Sequence, residues 1–316
     1  MSSTWIGGTE MSGTGTIGFI GLGVMGRPMA AHLVNAGLTV VVHNRSQTAV
    51  DDLVAAGAVG AASPAEVAER ADTIITMLPD APDVEKVLFG TDGVTTTARP
   101  GRVVVDCSTI APERAVTIAA TLSESAIGFV DAPVSGGEHG AHTGNLAVMM
   151  GGSPSDIATA TSAIAAFSGV VAHVGPVGSG QLVKAANQMI VAGNIALVAE
   201  ALSLLQRTDV DMDAAISVLN GGLAASRVLE NKARKMIDRD FTPGFRVDLH
   251  YKDLLIAQSA ADQAGLATPV AAVVTQLVQA LRASGDGGLD HGALITVIER
   301  LCSPNTLKGH TSCQQH

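Results

Sequence analysis

A short turn near the amino end constrains this chain more than any other feature. The run Thr16-Ile17-Gly18-Phe19-Ile20 reads as a strand, and Gly21-Leu22-Gly23-Val24-Met25-Gly26 follows it directly, opening the helical pattern Met25–Ala36. Each glycine has its own physical use. The first permits the tight turn, the second lets the backbone come close to a pyrophosphate, and the third lets helix and strand pack closely, while the helix N-terminus attracts the anion. The spacing alone is weak evidence, but a strand in front and a helix behind make it a dinucleotide-binding turn. Gly21, Leu22, Gly23, Val24, Met25 and Gly26 are therefore candidate cofactor-binding residues.

From Thr16 to about Val174, short apolar runs alternate with helical patterns. The runs are Ile17–Ile20, Thr39–Val42, Thr73–Leu78, Arg102–Asp106, Gly128–Ala132, Leu146–Met150 and Val170–Val174, with segments such as Glu113–Ser123 between them. Such alternation implies βαβ crossovers, hence an α/β fold with a mostly parallel sheet and helices on both faces. After Gly180 the pattern changes to helical spacing throughout, broken at Asp209, Gly221-Gly222, Thr242-Pro243-Gly244, Gly265 and Gly285–Gly288, with no strand run. The expected division is a cofactor-binding domain over residues 16–179 and an all-helical domain over 180–302, the boundary falling near Gly175–Gly180. Residues 1–15 and 303–316 read as flexible, with Met11 a candidate native start. The apolar segment Leu182–Leu205 approaches the length of a bilayer span, but Lys184, Asn187, Gln188, Asn194 and Glu200 interrupt it, so it reads as a buried helix.

Composition narrows the function classes. With 316 residues the chain can build two cores, and a net charge of -10 without any Lys/Arg cluster argues against a nucleic-acid surface. Three cysteines, Cys107, Cys302 and Cys313, form neither a disulfide framework nor a thiolate metal site. The start lacks the charged and apolar regions of a signal peptide, and a reducing cytoplasm fits. The nine histidines show no metal-ligand spacing, and the tail group His310, Cys313, His316 is too weak a pattern to count as a site. No metal is expected.

The second strand ends in His43-Asn44-Arg45-Ser46, where an NAD enzyme usually places a carboxylate for the ribose 2′-hydroxyl. Arg45 can instead clamp a 2′-phosphate, with Asn44 and Ser46 adding hydrogen bonds, which favours NADP(H) over NAD(H). The alternative is a solvated loop arginine. Leu78 and Pro79, and the run Asp106-Cys107-Ser108-Thr109, stand at the carboxyl edge of the same sheet, where they should line the nicotinamide half of the site. Nothing in the sequence activates Cys107 as a nucleophile, and small buried packing is its expected role.

Hydride transfer needs a grip on the substrate, a proton for its oxygen and protection from water. The stretch Asp131-Ala132-Pro133-Val134-Ser135-Gly136-Gly137 leaves an apolar strand in a turn that can aim backbone N–H groups and the Ser135 hydroxyl at a carboxylate. Lys184, in Gly178-Ser179-Gly180-Gln181-Leu182-Val183-Lys184, can polarise an aldehyde and donate its proton. On a helix Gly180, Lys184, Asn187 and Gln188 share one face, so Asn187 can bond the same substrate or hold the lysine. Lys252 can contact the cofactor or influence Lys184 through like charge; the bland alternative is a surface pair with Asp253.

Together, Gly18–Gly26, Asp131–Gly137, Gly178–Asn187 and Lys252-Asp253-Leu254 resemble the β-hydroxyacid dehydrogenase family over roughly Ile17 to Leu301. The resemblance implies a Rossmann doubly wound parallel sheet followed by an all-helical second domain, dependence on NADP(H) or NAD(H), and a homodimer or homotetramer; the charge and the interrupted apolar segment already speak against nucleic-acid and membrane partners. It also implies Lys184 as the general acid/base, Ser135, Gly136, Gly137 and Asn187 as substrate contacts, and Thr109 and Lys252 beside the cofactor. Within the family, Ser135–Glu138, Ala186–Ala192, Gly221–Ala224 and above all Pro243–His250 are similar to members that reduce tartronate semialdehyde to D-glycerate. That likeness implies Phe245 at the border of the substrate pocket and Asp253 as a support of the site. His139-Gly140-Ala141 departs from the pattern, which leaves the substrate less defined than the reaction. The rivals are another small semialdehyde, such as that formed from 3-hydroxyisobutyrate, then imine reduction, against which Lys184 speaks, and a cofactor-binding module without chemistry.

Overall fold

The computed structural model describes residues 15–302, and the chain divides into two compact units, one ending at Asn187 and the other beginning at Gln188. The expectations for residues 1–14 and 303–316, including Met11 and the His310, Cys313, His316 group, lie outside the described residues.

The first unit is built on strands β1 (Ile17–Ile20), β2 (Val40–His43), β3 (Val59–Gly60), β4 (Thr73–Thr76), β5 (Val103–Asp106), β6 (Gly128–Asp131), β7 (Val134–Ser135), β8 (Leu146–Gly151) and β9 (Ser168–Gly175). The spatial order is β3-β2-β1-β4-β5-β6-β8-β7, with β9 on β8. From β3 to β6 every pairing is parallel, whereas β8 runs antiparallel to β6 and β7. Helices α1 (Gly26–Asn35), α2 (Gln47–Ala55), α3 (Pro64–Arg70), α4 (Ala81–Phe89), α5 (Pro112–Ser123), α6 (Gly137–Thr143) and α7 (Pro154–Ile164) connect the strands. The α/β class read from the alternation is present. Two short strands, β3 and β7, have no counterpart in the expected runs, because two residues carry no measurable period.

Alternate residues of one strand enter two separate cores. Ile17 and Phe19 of β1 pack with Val40, Val42, Ile75, Val103 and Val105 on one face, while Ile20 packs with Val41, Ile74 and Val104 on the other. Each such side chain contributes roughly 1.5–3 kcal/mol on burial, so both faces must be covered and the strands read as continuously apolar. The strand order reverses direction between β1 and β4. The loops leaving those two strands therefore border the crevice where open α/β sheets bind ligands.

Helix α8 (Ser179–Leu205) gives its first turns to the first unit and the remainder to the second. By length and apolar content it is long enough to cross a membrane, yet Gln181, Lys184 and Gln188 are buried and hydrogen-bonded within the protein, as in a core helix. The second unit continues with α9 (Met212–Gly221), α10 (Arg227–Asp238), α11 (Val247–Gln263), α12 (Pro269–Leu281) and α13 (Ile295–Leu301). Asp211 and Ser226 cap α9 and α10 by accepting backbone N–H groups, which explains why the helices begin there. Among the described residues this unit has no strand, only a single bridge between Arg246 and Asp290.

Candidate active site

The three glycines of the turn after β1 stand in different surroundings. Gly21 has φ +100°, and a side chain there would collide with the Met77 carbonyl oxygen. A Cβ on Gly26 would strike the Gly21 carbonyl, so only glycine lets α1 approach the turn. Gly23 is different, because a Cβ would meet nothing within 4 Å. Its space is open on the crevice side, which is the cradle an approaching pyrophosphate requires, so the turn fits a dinucleotide. Asn44 braces this turn: its Oδ1 accepts the Leu22 N–H at 3.1 Å, and its Nδ2 donates to the Ser46 carbonyl at 3.3 Å. Val24 and Ser46 are exposed and Met25 is half-buried. The Arg45 side chain is 84% exposed, and its ionic neighbour among the described residues is Asp83 Oδ1 at 3.9 Å.

The carboxyl ends of β4 and β5 are tied to each other. The Asp106 Oδ1 accepts from Thr76 Oγ1 at 2.8 Å and from the Ser108 N–H at 3.1 Å, and Ser108 Oγ accepts the Leu78 N–H at 2.9 Å. Pro79 is exposed beside Leu78, and Thr109 is half-buried in the loop beyond Ser108. Cys107 is wholly buried in the core. Burial, followed by the Asp106 carboxylate, pushes its pKa up, so it remains a thiol and packs as a small apolar group.

Lys184 lies on the second turn of α8 and is 6% exposed; its Nζ donates to the Val134 carbonyl at 2.8 Å. Three residues on, Asn187 Oδ1 accepts from Ser135 Oγ at 3.2 Å. The structure thus brings Lys184 and Asn187 onto the β7 strand that precedes Gly136 and Gly137. Both glycines adopt positive φ, +137° and +60°, and α6 starts at Gly137, directly after β7 and Gly136.

Two residues in this region were not singled out for their role by sequence reasoning. Asp131, wholly buried, accepts the Gly178 N–H through Oδ1 and the Gln181 N–H through Oδ2, each at 2.8 Å, and so caps α8. Burial outweighs these two bonds and raises its pKa to about 7. Gln181 is 1% exposed, and its side chain donates to the Ser108 carbonyl at 2.8 Å and accepts the Ile110 N–H at 3.1 Å. The only sequence signal for the cap is the pair Gly178 and Gly180: a Cβ on Gly180 would press into Asp131 and the Met149 carbonyl.

The second unit has its own buried polar centre. Asp253 is 2% exposed, accepting from Gln188 Nε2 at 2.5 Å and pairing with Lys252 Nζ at 3.2 Å, so it is not half of a surface pair. His250 bonds the Gln188 carbonyl at 3.3 Å through Nε2 and His291 Nδ1 at 3.0 Å through Nδ1. Phe245 stands edge-on to both rings, at 5.6 and 5.5 Å between centroids. Burial, then His250 and Lys232, hold the His291 pKa well below its ordinary range, so the ring stays neutral. Asp290 fixes the Phe245 turn by accepting the Gly244 and Phe245 N–H groups and pairing with Lys232. Among the described residues no His, Cys, Asp and Glu cluster could hold a metal ion.

Known proteins fit this geometry. The family described as the NAD binding domain of 6-phosphogluconate dehydrogenase matches residues 16–175, and that described as NAD-binding of NADP-dependent 3-hydroxyisobutyrate dehydrogenase matches residues 178–298. The 2-hydroxy-3-oxopropionate reductase of Escherichia coli K12 is 39% identical over 91% of this chain and 98% of its own length. The crystal structure of 3-hydroxyisobutyrate dehydrogenase from Salmonella typhimurium is 32% identical and covers 89% of this chain and 99% of that one, at a TM-score of 0.83. The structure of Psf3 in complex with NADP+ and 2-OPP is 25% identical over 89% of this chain and 99% of that one, at a TM-score of 0.84. Fold, glycine turn and these matches define an NAD(P)-dependent oxidoreductase with a Rossmann sheet and a helical second unit. The chain belongs to the β-hydroxyacid dehydrogenase family.

Proposed function

We propose that this enzyme reduces tartronate semialdehyde to D-glycerate, with Lys184 as the proton donor and NADP(H) as the preferred cofactor. The observation that carries the chemistry is the buried Lys184 Nζ, held 2.8 Å from the Val134 carbonyl while Asn187 engages Ser135 at 3.2 Å. Two further observations support the choice of substrate. They are the likeness of Pro243–His250 to the reductases of this semialdehyde and the 39% identity to the Escherichia coli enzyme.

A bound nicotinamide supplies the hydride. The protein residues do the rest. Ser135 Oγ and the N–H groups of the Gly136-Gly137 turn bind the substrate carboxylate, and Asn187 orients the Ser135 hydroxyl. Lys184 holds a proton at Nζ, polarises the aldehyde oxygen and delivers the proton as the alkoxide forms. The turn at Gly21, Gly23 and Gly26 holds the pyrophosphate, and Leu78, Pro79 and Thr109 line the nicotinamide side; the family resemblance assigns Lys252 to the cofactor and Asp253 to the support of the site. The same resemblance assigns Phe245 to the border of the substrate pocket. Arg45, with Ser46, meets a 2′-phosphate, and Asn44 keeps the glycine turn in register with them.

A second reading, oxidation of 3-hydroxyisobutyrate, is favoured by the second matching family and the Salmonella structure. The two substrates differ by a hydroxyl against a methyl, and a site that bonds the hydroxyl rejects the methyl analogue steeply. Initial rates of NADPH and NADH oxidation with tartronate, methylmalonate and succinic semialdehydes decide between them. Lys184→Ala should lower kcat by roughly 10²–10⁴; full activity in that variant overturns the mechanism, while a preference for methylmalonate semialdehyde overturns only the substrate.

The assembly we propose is a homodimer or homotetramer. It is supported by the row Ile190, Leu197 and Leu204, seven residues apart on α8 and each at least 64% exposed.

A further inference from the structure

The Gln181 side chain holds one bond donor and one bond acceptor in a fixed order. Its Nε2 reaches the carbonyl before Thr109 and its Oε1 reaches the N–H after it, at 2.8 and 3.1 Å, so the two bonds bracket that residue. Beyond the bracket, Ser108 Oγ accepts the Leu78 N–H, and the Ser108 N–H donates to Asp106. On the helix side the Gln181 backbone is fixed as well, by its N–H to Asp131 Oδ2. Residue 181 is therefore tied at both backbone and side chain, one turn before Lys184 on the same helix.

We propose that Gln181 is a positioning residue that locks the first turns of α8, and with them the Lys184 ammonium, to the Leu78 and Ser108–Ile110 loops at the carboxyl edge of the sheet. The inference rests on the reading of Lys184 as proton donor. Proton transfer demands placement within a hydrogen bond's length, and a lysine on a loosely seated helix end would sample many positions. Glutamine suits the task because a planar amide carries donor and acceptor together at this reach. Asparagine is a methylene short, a carboxylate lacks the donor, and methionine has the length without either bond. A merely structural glutamine would affect only the folded fraction. A positioning one changes the rate of the molecules that remain folded.

The test uses the full chain in three variants, Gln181→Met, Gln181→Glu and Lys184→Ala. Gln181→Met is expected to lower kcat roughly 30-fold per folded molecule, leave KM for the aldehyde within about threefold, and weaken NADPH binding about fivefold in a fluorescence titration. In Gln181→Glu the protonated carboxyl supplies a donor and an acceptor, and the ionised one does not. Its rate relative to wild type at the same pH should therefore climb as the pH falls from 8 to 5.5. Wild-type kcat and NADPH affinity in folded Gln181→Met, or a pH-independent ratio in Gln181→Glu, would overturn the inference. Lys184→Ala separates the two claims: if it is crippled while Gln181→Met is normal, Gln181 has no positioning role, and if Lys184→Ala is fully active, the underlying mechanism is wrong.

Discussion

The two edges of the cofactor crevice in the first unit are built by opposite means. At the α8 edge, Asp131, Gln181 and Lys184 are buried and bonded to backbone groups at 2.8–3.1 Å. At the β2 edge, Arg45 stands 84% exposed with one carboxylate at 3.9 Å. Leaving a buried polar group unpaired costs about 1–3 kcal/mol, whereas an exposed ion pair contributes roughly 0–1 kcal/mol. The first edge is consequently confined to one arrangement, and the second can change a side chain at little cost to the fold. On the function proposed above, reaction chemistry resides in the confined edge, and cofactor choice in the open one.

The sharpest way to break this contrast is to titrate the confined edge. Asp131 has a folded pKa of about 7 against an ordinary value of 3.8, so between those pH values the folded state binds more protons than the unfolded state. Stability from this group is then fully present near pH 4 and is lost as the pH rises to about 7, by up to about 4 kcal/mol. Asp131→Asn cannot titrate. Urea unfolding of both proteins from pH 4 to 8 should show the advantage of wild type shrinking with pH and levelling above 7. A gap that widens with pH would mean that the N–H bonds from Gly178 and Gln181, not burial, dominate this carboxylate.

The glycine turn offers a comparison inside a single motif. Gly26→Ala puts a methyl group into the Gly21 carbonyl and should cost about 3 kcal/mol of stability. Gly23→Ala enters open space, so the unliganded protein should melt within a degree or two of wild type while NADPH binding weakens roughly 10-fold. Thermal unfolding and fluorescence titration of both variants would show whether the turn separates folding from binding in this way.

Periodicity and special residues made much of this legible. The strand–helix alternation, the change at Gly180 and the three glycines followed from residue type and local spacing, and the sheet and its two cores bear out that α/β reading. What stayed hidden depends on distant pairs. The Asp131 cap joins residues 47 and 50 positions apart, and the Gln181 bracket spans 73, so no local pattern announces them. The His250–His291 contact, across 41 positions, is equally invisible. Arg45 illustrates the converse. Its residue type and place after β2 are legible in the sequence as a phosphate clamp, whereas the structure shows an exposed guanidinium with the Asp83 carboxylate at 3.9 Å.

Arg45 therefore supplies the last and smallest test, one aimed at the open edge alone. If the guanidinium meets the 2′-phosphate, Arg45→Ala should weaken NADPH roughly tenfold, about 1.4 kcal/mol, and leave NADH binding unchanged. Because the side chain is exposed and its contact with Asp83 is long, stability should stay within about 0.5 kcal/mol. Raising the salt concentration should narrow the difference between the two cofactors in wild type and leave it unaltered in the variant, since an exposed charge pair is screened. Equal loss for NADPH and NADH would instead mean that Arg45 supports the loop as a whole, and the contrast between a confined and an open edge would no longer explain cofactor choice.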